Sequence, residues 1–345
     1  MMRYRRMGRT GLAVSEIGFG CGGNAGLMLR GTAAEQARIV ARALELGVNY
    51  FDNAPDYGDG AAERNLGRAL KAAGARPLLC SKVEIRRADL DDIAGHVVRS
   101  TEDSLRRLGV DALDVLQIHN APWHEAPAME GVYYARLGID DYLRDGGVLD
   151  GLARLLRDGK VRHAGFVCRG DDVNVARRLF QTGMFGMINV PYTLLNPTAG
   201  QAPPPGLNVA RDGGGVLCHA READVGAAIY SVLAGGFLSD DSAAGRPRHP
   251  VARTVDPAAG AVRLNMERAR SLRFLAADTG GTLAQAAFRF VLSHPGVSTA
   301  LGGFSAMEQL EEIAAASDAG PLPGSALAAL ERVWRTDFGL ATALP

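Results

Sequence analysis

The chain has 345 residues, 47% of them hydrophobic, so it is long enough to bury a large core. Lysine plus arginine and aspartate plus glutamate number 38 each, and the resulting formal charge of zero gives no overall field that would attract nucleic acid or a membrane surface. No run of about 18 apolar residues predicts a transmembrane helix, and the basic start lacks the apolar stretch of a signal peptide.

Predicted strands and helices alternate along the chain after an N-terminal hairpin that pairs residues 4–7 with residues 13–16. Short apolar runs predict eight further strands, at residues 17–20, 49–52, 78–83, 113–119, 161–167, 187–190, 227–232 and 297–301. Amphipathic runs predict helices at 33–46, 61–73, 91–108, 148–157, 173–182, 216–223, 262–278, 283–292, 306–316 and 325–336. Thr32 is the expected cap of the first helix, and Gly47 ends it.

Eight strand-then-helix steps without a break in composition predict one α/β domain over residues 1–345, closed as a (β/α)8 TIM barrel behind the hairpin. An open doubly wound sheet is the rival, although eight steps is a high count for it. Long polar segments at 120–146, 196–215 and 239–260 follow predicted strands four, six and seven of the barrel. We expect them at the C-terminal mouth, where barrel enzymes place their sites.

The four cysteines are far apart and form no CxxC pair. Three of them lie in or beside strand-like runs, which favours structural thiols in a reducing compartment over disulfides or a metal site. We therefore expect a cytoplasmic protein without a metal, a nucleic-acid partner or a membrane partner, and its oligomeric state stays open. The cysteines are Cys21, Cys80, Cys168 and Cys218.

Four ionisable residues stand at or just after predicted strand ends: Asp52, Tyr57, Lys82 and His119. The carboxyl ends of parallel strands open on one face of a barrel, so these side chains should converge. A Lys82 ammonium held by Asp52 would favour the phenolate of Tyr57 and lower its pKa toward neutrality, and His119 could orient a substrate carbonyl. The alternative is a structural ion pair with Tyr57 as a loop anchor, but four such residues grouped together favour catalysis.

The segment DNAPDYG, from Asp52 to Gly58, resembles the Asp-x-Ala-x-x-Tyr-Gly signature of the aldo-keto reductase family. LLCSKV with Lys82, LDVLQIHN with His119 and the start GRTGLAVSEIGFG are similar to the family in order and spacing. The resemblance covers essentially the whole chain. It implies a barrel oxidoreductase that moves hydride between NAD(P) and a carbonyl or alcohol carbon, with Tyr57 as general acid or base, Lys82 and Asp52 as its support, and His119 orienting the carbonyl.

The resemblance also implies residues that hold the cofactor. IYSVLAGGFL is similar to the family segment after the seventh strand, which makes Tyr230 the ring expected to stack on nicotinamide and places Ser231 and Leu233 at the pyrophosphate. Asn189 stands where the family usually has a glutamine that contacts the carboxamide. The usual Ser-Asn pair on the fifth strand is replaced by Val167-Cys168, so two side-chain hydrogen bonds to the carboxamide are lost.

The turn after the last strand, LGGFSAMEQLEE, bears on the choice of cofactor. Many family members carry lysine and arginine there for the 2′-phosphate of NADP, whereas this chain has Gly303 and Gln309. Glu312 stands where the family's acid contacts adenine. We therefore expect NAD rather than NADP, unless an arginine after the seventh strand restores NADP binding. The candidates for that role are Arg246, Arg248 and Arg263.

Residues 18–23 read GFGCGG and match the dinucleotide pattern GxGxxG, but Gly26 and Gly31 interrupt the helix that should open at its third glycine. We interpret the segment as a loop of close backbone approach at the barrel mouth, with Gly20 as a cofactor contact. The substrate is expected to be a small carbonyl compound or a sugar, and three loop aromatics could line its pocket. These are Trp123, Tyr133 and Tyr134.

Two further functions remain open from the sequence. FDNAPDYG and GGFSAMEQL resemble the aldose-dehydrogenase branch of the family, which implies NAD-dependent oxidation of sugars at carbon 1. The other is a non-catalytic cofactor-binding module that shares the fold, which the altered pair on the fifth strand favours.

Overall fold

The computed structural model describes residues 1–126, 134–169, 172–246 and 260–340. Its strands, in chain order, are β1 (Tyr4–Arg6), β2 (Ala13–Ser15), β3 (Ile17–Gly20), β4 (Tyr50–Asp52), β5 (Leu78–Val83), β6 (Leu113–Ile118), β7 (Pro122–Trp123), β8 (Leu137–Gly138), β9 (Val161–Val167), β10 (Phe185–Pro191), β11 (Gly226–Tyr230) and β12 (Thr299–Gly303).

The α-helices lie between these strands and after the last one. In chain order they are α1 (Leu27–Arg30), α2 (Ala33–Glu45), α3 (Ala61–Ala73), α4 (Ile93–Leu108), α5 (Ile139–Leu143), α6 (Val148–Arg157), α7 (Val173–Gln181), α8 (Val216–Glu222), α9 (Asp240–Ala243), α10 (Gly260–Ser271), α11 (Phe274–Thr279), α12 (Leu283–Ser293), α13 (Met307–Ala319) and α14 (Gly324–Arg335).

Eight parallel strands form a closed barrel in the order β3, β4, β5, β6, β9, β10, β11, β12. The barrel closes where β12 pairs with β3, with Gly303 opposite Gly20. On its other side β3 pairs with β4, with Gly20 opposite Asp52. The predicted (β/α)8 barrel is therefore confirmed, and the open sheet is excluded. All six residues of β6 are buried, as expected for a strand covered on both faces.

The helices form where an apolar stripe coincides with local end signals, as α2 shows. Thr32 accepts a hydrogen bond from the backbone of Glu35, and Glu35 bonds back to the Thr32 backbone, which completes a capping box. The buried residues of α2 recur at the spacing that turns one face of a helix toward the barrel. They are Gln36, Ile39, Val40 and Ala43.

The hairpin of β1 and β2 covers the N-terminal end of the barrel. Met7 and Val14 have no exposed surface and pack with side chains inside the barrel, among them Tyr50 and Met187. A Cβ added to Gly226, at the start of β11, would lie 2.5 Å from Met7 Cγ and 2.8 Å from its carbonyl carbon. The hairpin backbone therefore lies directly against the barrel.

The structure departs from the sequence prediction mainly at the mouth. The segment 120–146, predicted as a loop, contains the parallel pair β7 and β8 and then α5. The segment 239–260, also predicted as a loop, contains α9, while residues 247–259 lie outside the described part. The single helix predicted over 262–278 is two helices, α10 and α11. Across the described ranges, every helix is too short or too polar to span a bilayer.

Candidate active site

The C-terminal end of the barrel opens into a cleft of about 530 Å³. All the site residues predicted from the sequence line this one cleft, which places the proposed catalytic group and the proposed cofactor contacts in a single space. They are Gly20, Asp52, Tyr57, Lys82, His119, Asn189, Tyr230, Ser231, Leu233, Gly303, Gln309 and Glu312.

Lys82 lies at the floor of the cleft with all three of its ammonium donors used. Its Nζ donates to Oδ1 of Asp52, to the carbonyl oxygen of Asn53 at 2.7 Å and to Oη of Tyr57 at 3.3 Å. Lys82 and Asp52 are buried, with 1% and 3% of their surfaces exposed. A buried charge is tolerated when it is paired and fully hydrogen-bonded, and this pair meets both conditions.

Asp52 is also held from the interior of the barrel. Its second oxygen, Oδ2, accepts hydrogen bonds from Gln117 Nε2 at 3.3 Å and Asn189 Nδ2 at 3.1 Å. Asn189 was predicted to contact a carboxamide, and its amide nitrogen is instead bonded to Asp52. Its Oδ1 is buried, without a partner among the described residues, and remains the acceptor that the side chain can offer to the cleft.

Burial and the contact between Lys82 and Asp52 shift the pKa values of Lys82 and Tyr57. Burial lowers the pKa of Lys82, but the Asp52 carboxylate that faces it, together with Tyr57 and Cys80, raises it by more, and the net pKa lies above the ordinary lysine value. Burial raises the pKa of Tyr57 to about 12, because the loss of solvation exceeds the lowering by Lys82. The predicted net lowering of the Tyr57 pKa is therefore wrong, although Lys82 acts in the expected direction.

His119, just past the end of β6, stands beside Tyr57 with the two ring centroids 6.1 Å apart and the planes nearly perpendicular. Its Nδ1 is hydrogen-bonded to Oε1 of Glu84 at 2.8 Å. The sequence analysis did not identify Glu84, although its spacing from Lys82 could have indicated that it lies near the site. Glu84 comes two residues after Lys82, and residues two apart in an extended strand share a face.

A second pair borders His119 on the outer side. Tyr134 donates a hydrogen bond to Oδ2 of Asp56, joining the segment before β8 to the loop after β4. The Tyr134 ring centroid lies 5.6 Å from that of His119. Of the three aromatics predicted near the pocket, Tyr134 is therefore next to the catalytic candidates, Trp123 belongs to β7, and Tyr133 lies outside the described residues.

The loop after β11 forms one wall of the cleft and has an unusual backbone. Ser231 and Ala234 have positive φ angles of 57° and 49°, a conformation that costs free energy in residues other than glycine. The N–H of Ala234 donates to the carbonyl oxygen of Ser231 at 2.7 Å, and that of Gly236 donates to the carbonyl oxygen of Leu233 at 2.9 Å. The loop is therefore a tight turn held by its own backbone.

The opposite wall comes from β12 and α13. Gln309 accepts hydrogen bonds from the backbone and hydroxyl of Ser305, at 2.8 and 3.0 Å, at the start of α13. One turn further on, Oε1 of Glu312 accepts a hydrogen bond from Thr282 at 2.5 Å. Gln309 and Glu312 are therefore held on the cleft wall by neighbouring side chains rather than projecting freely into solvent.

Acidic side chains predominate among the charged residues that line the described part of the cleft. Asp240 and Asp241, which sequence reasoning missed, line the cleft together with Glu312. The cationic side chains lining the described part of the cleft are Lys82, which is paired on the floor, and Arg169. Of the three arginines considered for NADP, Arg248 lies outside the described residues. The other two do not line the cleft. Arg246 faces Asp241, one of the acids of the cleft lining, and Arg263 faces Glu267, each at 3.9 Å.

Several known proteins are similar to this chain in sequence. Two relatives align over most of the chain. L-galactose dehydrogenase of Arabidopsis thaliana is 24% identical and covers 91% of this chain and 88% of its own. L-glyceraldehyde 3-phosphate reductase of Escherichia coli O157:H7 is 26% identical and covers 90% of this chain and 86% of its own.

A solved structure has the same fold. An aldo/keto reductase from Klebsiella pneumoniae in complex with NADP and acetate superposes with a TM-score of 0.65 at 23% identity, covering 97% of this chain and 96% of its own. The model of the aldo/keto reductase family matches residues 16–335, which include the whole barrel. The chain therefore belongs to the aldo/keto reductase family of oxidoreductases.

Proposed function

We propose that this protein moves hydride between a nicotinamide cofactor and a carbonyl or alcohol carbon, with Tyr57 exchanging the proton. One observation carries the proposal. The Tyr57 hydroxyl stands 3.3 Å from a charged, buried Lys82 ammonium, on the floor of a cleft large enough for a small molecule. His119 borders the same space and can bind the oxygen of the reacting carbon.

The residues of the cleft fit a dinucleotide. The unpartnered Oδ1 of Asn189 would accept a hydrogen bond from the carboxamide, and Tyr230 would stack on the nicotinamide ring. Ser231 and Leu233 line the cleft on the tight turn after β11, where the family resemblance places the pyrophosphate. Gly20 stands opposite Gly303 in the sheet, where two residues without side chains allow close approach. When bound, the cofactor supplies or accepts the hydride.

The protonation of Tyr57 favours reduction. With a pKa of about 12, the phenol keeps its proton at neutral pH and is available as a donor to the oxygen of a carbonyl that gains hydride. Lys82 remains charged because Asp52 faces it, so it stabilises the phenolate left after the transfer. Asp52 acts only through Lys82.

The test is the variant Tyr57→Phe, which removes the hydroxyl and keeps the ring. We expect it to bind NADH or NADPH like the wild type, measured by fluorescence titration, and to lose at least about 100-fold in turnover of an aldehyde panel. Tyr4→Phe is the matched control, because Tyr4 is exposed on the hairpin, far from the cleft. Full activity of Tyr57→Phe would refute the role, and tight binding without turnover in the wild type would favour the non-catalytic module.

For the cofactor we propose NAD rather than NADP. The 2′-phosphate of NADP would meet a wall lined by Asp240, Asp241 and Glu312, and like charges in a cleft repel. The similar aldo/keto reductase from Klebsiella pneumoniae is in complex with NADP, which speaks against this preference. The cofactor preference therefore needs a test of its own. We expect wild type to bind NADH more tightly than NADPH, and Gln309→Arg to strengthen NADPH binding about tenfold. Gln309→Leu is the uncharged control, and tighter NADPH binding by wild type would overturn the preference.

A small carbonyl compound or a sugar is the proposed substrate, and the cytoplasm the proposed location. The similarity to L-galactose dehydrogenase supports the sugar alternative, in which NAD oxidises an aldose at carbon 1. Oxidation of a panel of aldoses, followed by NADH absorbance, would separate this alternative from aldehyde reduction.

A further inference from the structure

A second, smaller cavity lies beside the cleft, at the end of β10. Its volume is about 60 Å³, several times the roughly 10–15 Å³ that one water molecule needs. Val190 and Pro191 of β10 form part of its lining. Arg169, just past the end of β9, lines both this cavity and the cleft, so it stands between the two spaces. The small cavity therefore has room for a carboxylate or phosphate group next to the proposed active site.

The charged groups that line the small cavity are positive. They are the guanidinium groups of Arg169 and Arg211, and no carboxylate from the described ranges is among the lining side chains. Arg169 is exposed and makes no hydrogen bond or ion pair with any residue of those ranges. The planar guanidinium fork matches the two oxygens of a carboxylate or phosphate. Two such groups around one small space favour an oxyanion inside it.

The wall that carries Arg211 is fixed before any ligand binds. Asn196 accepts a hydrogen bond from the hydroxyl of Thr198 at 2.7 Å and donates to the carbonyl oxygen of Arg211 at 2.8 Å. The Thr198 hydroxyl oxygen also accepts from the N–H of Gly213 at 2.7 Å. A Cβ added to Gly213 would lie 2.5 Å from the backbone nitrogen of Ala199. Because this backbone is already held against the turn after β10, little of it has to be ordered on binding.

Thr193 adds a hydroxyl donor to the same lining. It is 9% exposed, and its Oγ1 accepts hydrogen bonds from the backbone N–H groups of Leu195 and Asn196, both at 3.1 Å. Its own hydrogen is donated to no residue that the structure describes. A hydroxyl group has one hydrogen to donate, so Thr193 can donate it to a ligand in the small cavity.

The strand register relates the small cavity to the reacting groups. Ile118 of β6 pairs with Phe166 of β9, so His119 lies level with Val167. Arg169 follows Val167 by two residues, which places it at most about 7 Å further along the chain. A substrate whose carbonyl oxygen lies beside His119 can therefore reach Arg169 with a group only a few carbons away.

We propose that Arg169, with Arg211 and Thr193, forms a subsite for a carboxylate or phosphate group of the substrate. The inference rests on the proposed function and names its substrate class: short aldehydes that carry an anionic group a few carbons from the carbonyl. Arg169 determines specificity by binding this group, and the proton exchange stays with Tyr57.

The distribution of charge in the cleft agrees with this orientation of the substrate. The acidic lining residues lie on α9 and α13, after β11 and β12, rather than at the end of β9. They are Asp240, Asp241 and Glu312. Since like charges repel, an anionic group is disfavoured beside these acids and favoured beside Arg169.

The cofactor is another source of an oxyanion. Its pyrophosphate is expected at the turn after β11, where Ser231 and Leu233 line the cleft. A cavity of about 60 Å³ is too small for a dinucleotide. The test must still separate a phosphate group of the cofactor from an anionic group of the substrate.

The first measurement compares reduction of 4-oxobutanoate with that of its methyl ester, which has no charge. We expect wild type to have the higher kcat/KM for 4-oxobutanoate. Arg169→Met should lower this value about 10- to 100-fold, because a hydrogen bond to a charged group is lost, and should leave the value for the ester unchanged. The variant should fold normally, since Arg169 is exposed. Arg169→Lys keeps the charge without the fork and should recover part of the loss.

The matched control is Arg177→Met. Arg177 is an exposed arginine on the neighbouring helix α7, and it lines neither the cleft nor the small cavity. Its removal changes the net charge equally, so we expect no change in kcat/KM for either compound.

The second measurement needs no turnover. Inorganic phosphate is titrated into the protein with and without saturating NADH, and binding is followed by isothermal titration calorimetry. We expect wild type to bind phosphate in the presence of NADH, Arg169→Met to bind it about tenfold more weakly, and Arg177→Met to bind it like wild type.

The outcomes separate this inference from the proposed function. The subsite is overturned by a wild-type preference for the ester, by equal losses for both compounds in Arg169→Met, or by the same selective loss in Arg177→Met. Phosphate that binds only without NADH also overturns it, because Arg169 would then serve the cofactor. If wild type reduces neither compound, the proposed function fails, and the phosphate titration still decides whether the subsite exists.

Discussion

At the scale of single residues, Lys82 and Asp52 meet the conditions under which a buried ion pair is tolerated. Removing two charges from water costs several kcal/mol per ion, and their attraction offsets this cost only with additional hydrogen bonds. Here Asn53 and Tyr57 complete the shell of Lys82. The amides of Gln117 and Asn189 complete that of Asp52. The pair holds a positive charge against a phenol, which suits catalysis more than it adds stability.

The variant Lys82→Met should show the cost of burying an unpaired charge. The variant leaves Asp52 buried without its counter-charge, and we expect it to lower the free energy of unfolding by about 3 kcal/mol, measured by urea denaturation. The raised pKa of Lys82 means that the contribution of the pair is fully present below the ordinary lysine pKa and is lost only at higher pH. The loss should therefore be constant from neutral pH to about 10.

The control for this prediction is the double variant Lys82→Met with Asp52→Asn, which removes both charges. It should recover most of the lost stability, because no uncompensated carboxylate remains. A single variant as stable as wild type would contradict this account of the pair.

At the scale of elements, the sequence predicts an element well where a regular pattern ends at a strong signal. Helix α3 and strand β5 have the bounds predicted for them. The apolar face of α3 stops at Gly74, whose φ of 60° closes the helix.

Elements without a period could not be predicted. The strands β7 and β8 have two residues each, too few to show alternation, and they pair with each other in parallel. The split between α10 and α11 falls at Leu272 and Arg273, where neither glycine nor proline marks an end. These features depend on tertiary contacts.

The same distinction applies to the candidate site: some of its features follow from regular sequence patterns, and others depend on tertiary contacts. Strand ends and strand order bring Asp52, Lys82 and His119 together, and both are visible in the sequence. The net pKa of Tyr57 depends on how much solvent its ring loses, which no residue pattern states. The contact of Tyr134 with Asp56 joins two loops whose paths cannot be predicted from local sequence.

At the scale of the whole molecule, the two ends of the barrel differ. The C-terminal end carries the cleft and its polar groups. The N-terminal end is closed by the hairpin, whose Met7 and Val14 join an apolar cluster within the barrel. In barrels of this type, residues at the N-terminal end serve stability and residues at the C-terminal end serve the reaction. Stability and catalytic activity should therefore respond to different substitutions.

Gly226→Ala tests this separation. The new Cβ would lie 2.5 Å from Met7 Cγ, 2.8 Å from the Met7 carbonyl carbon and 3.0 Å from the Gly8 nitrogen, so hairpin backbone must move. We expect a loss of about 1–3 kcal/mol in the free energy of unfolding by urea, with unchanged kcat and KM below the transition.

Gly324→Ala is the matched control for this substitution. Gly324 begins α14 with no atom within 4 Å of an added Cβ, so alanine should be neutral there or stabilise by up to about 1 kcal/mol. Equal stability of the two variants would mean that the hairpin yields to the extra methyl group without cost. A loss of activity in Gly226→Ala at full folding would mean that the two ends of the barrel are coupled, because a change confined to the closed end would then reach the mouth.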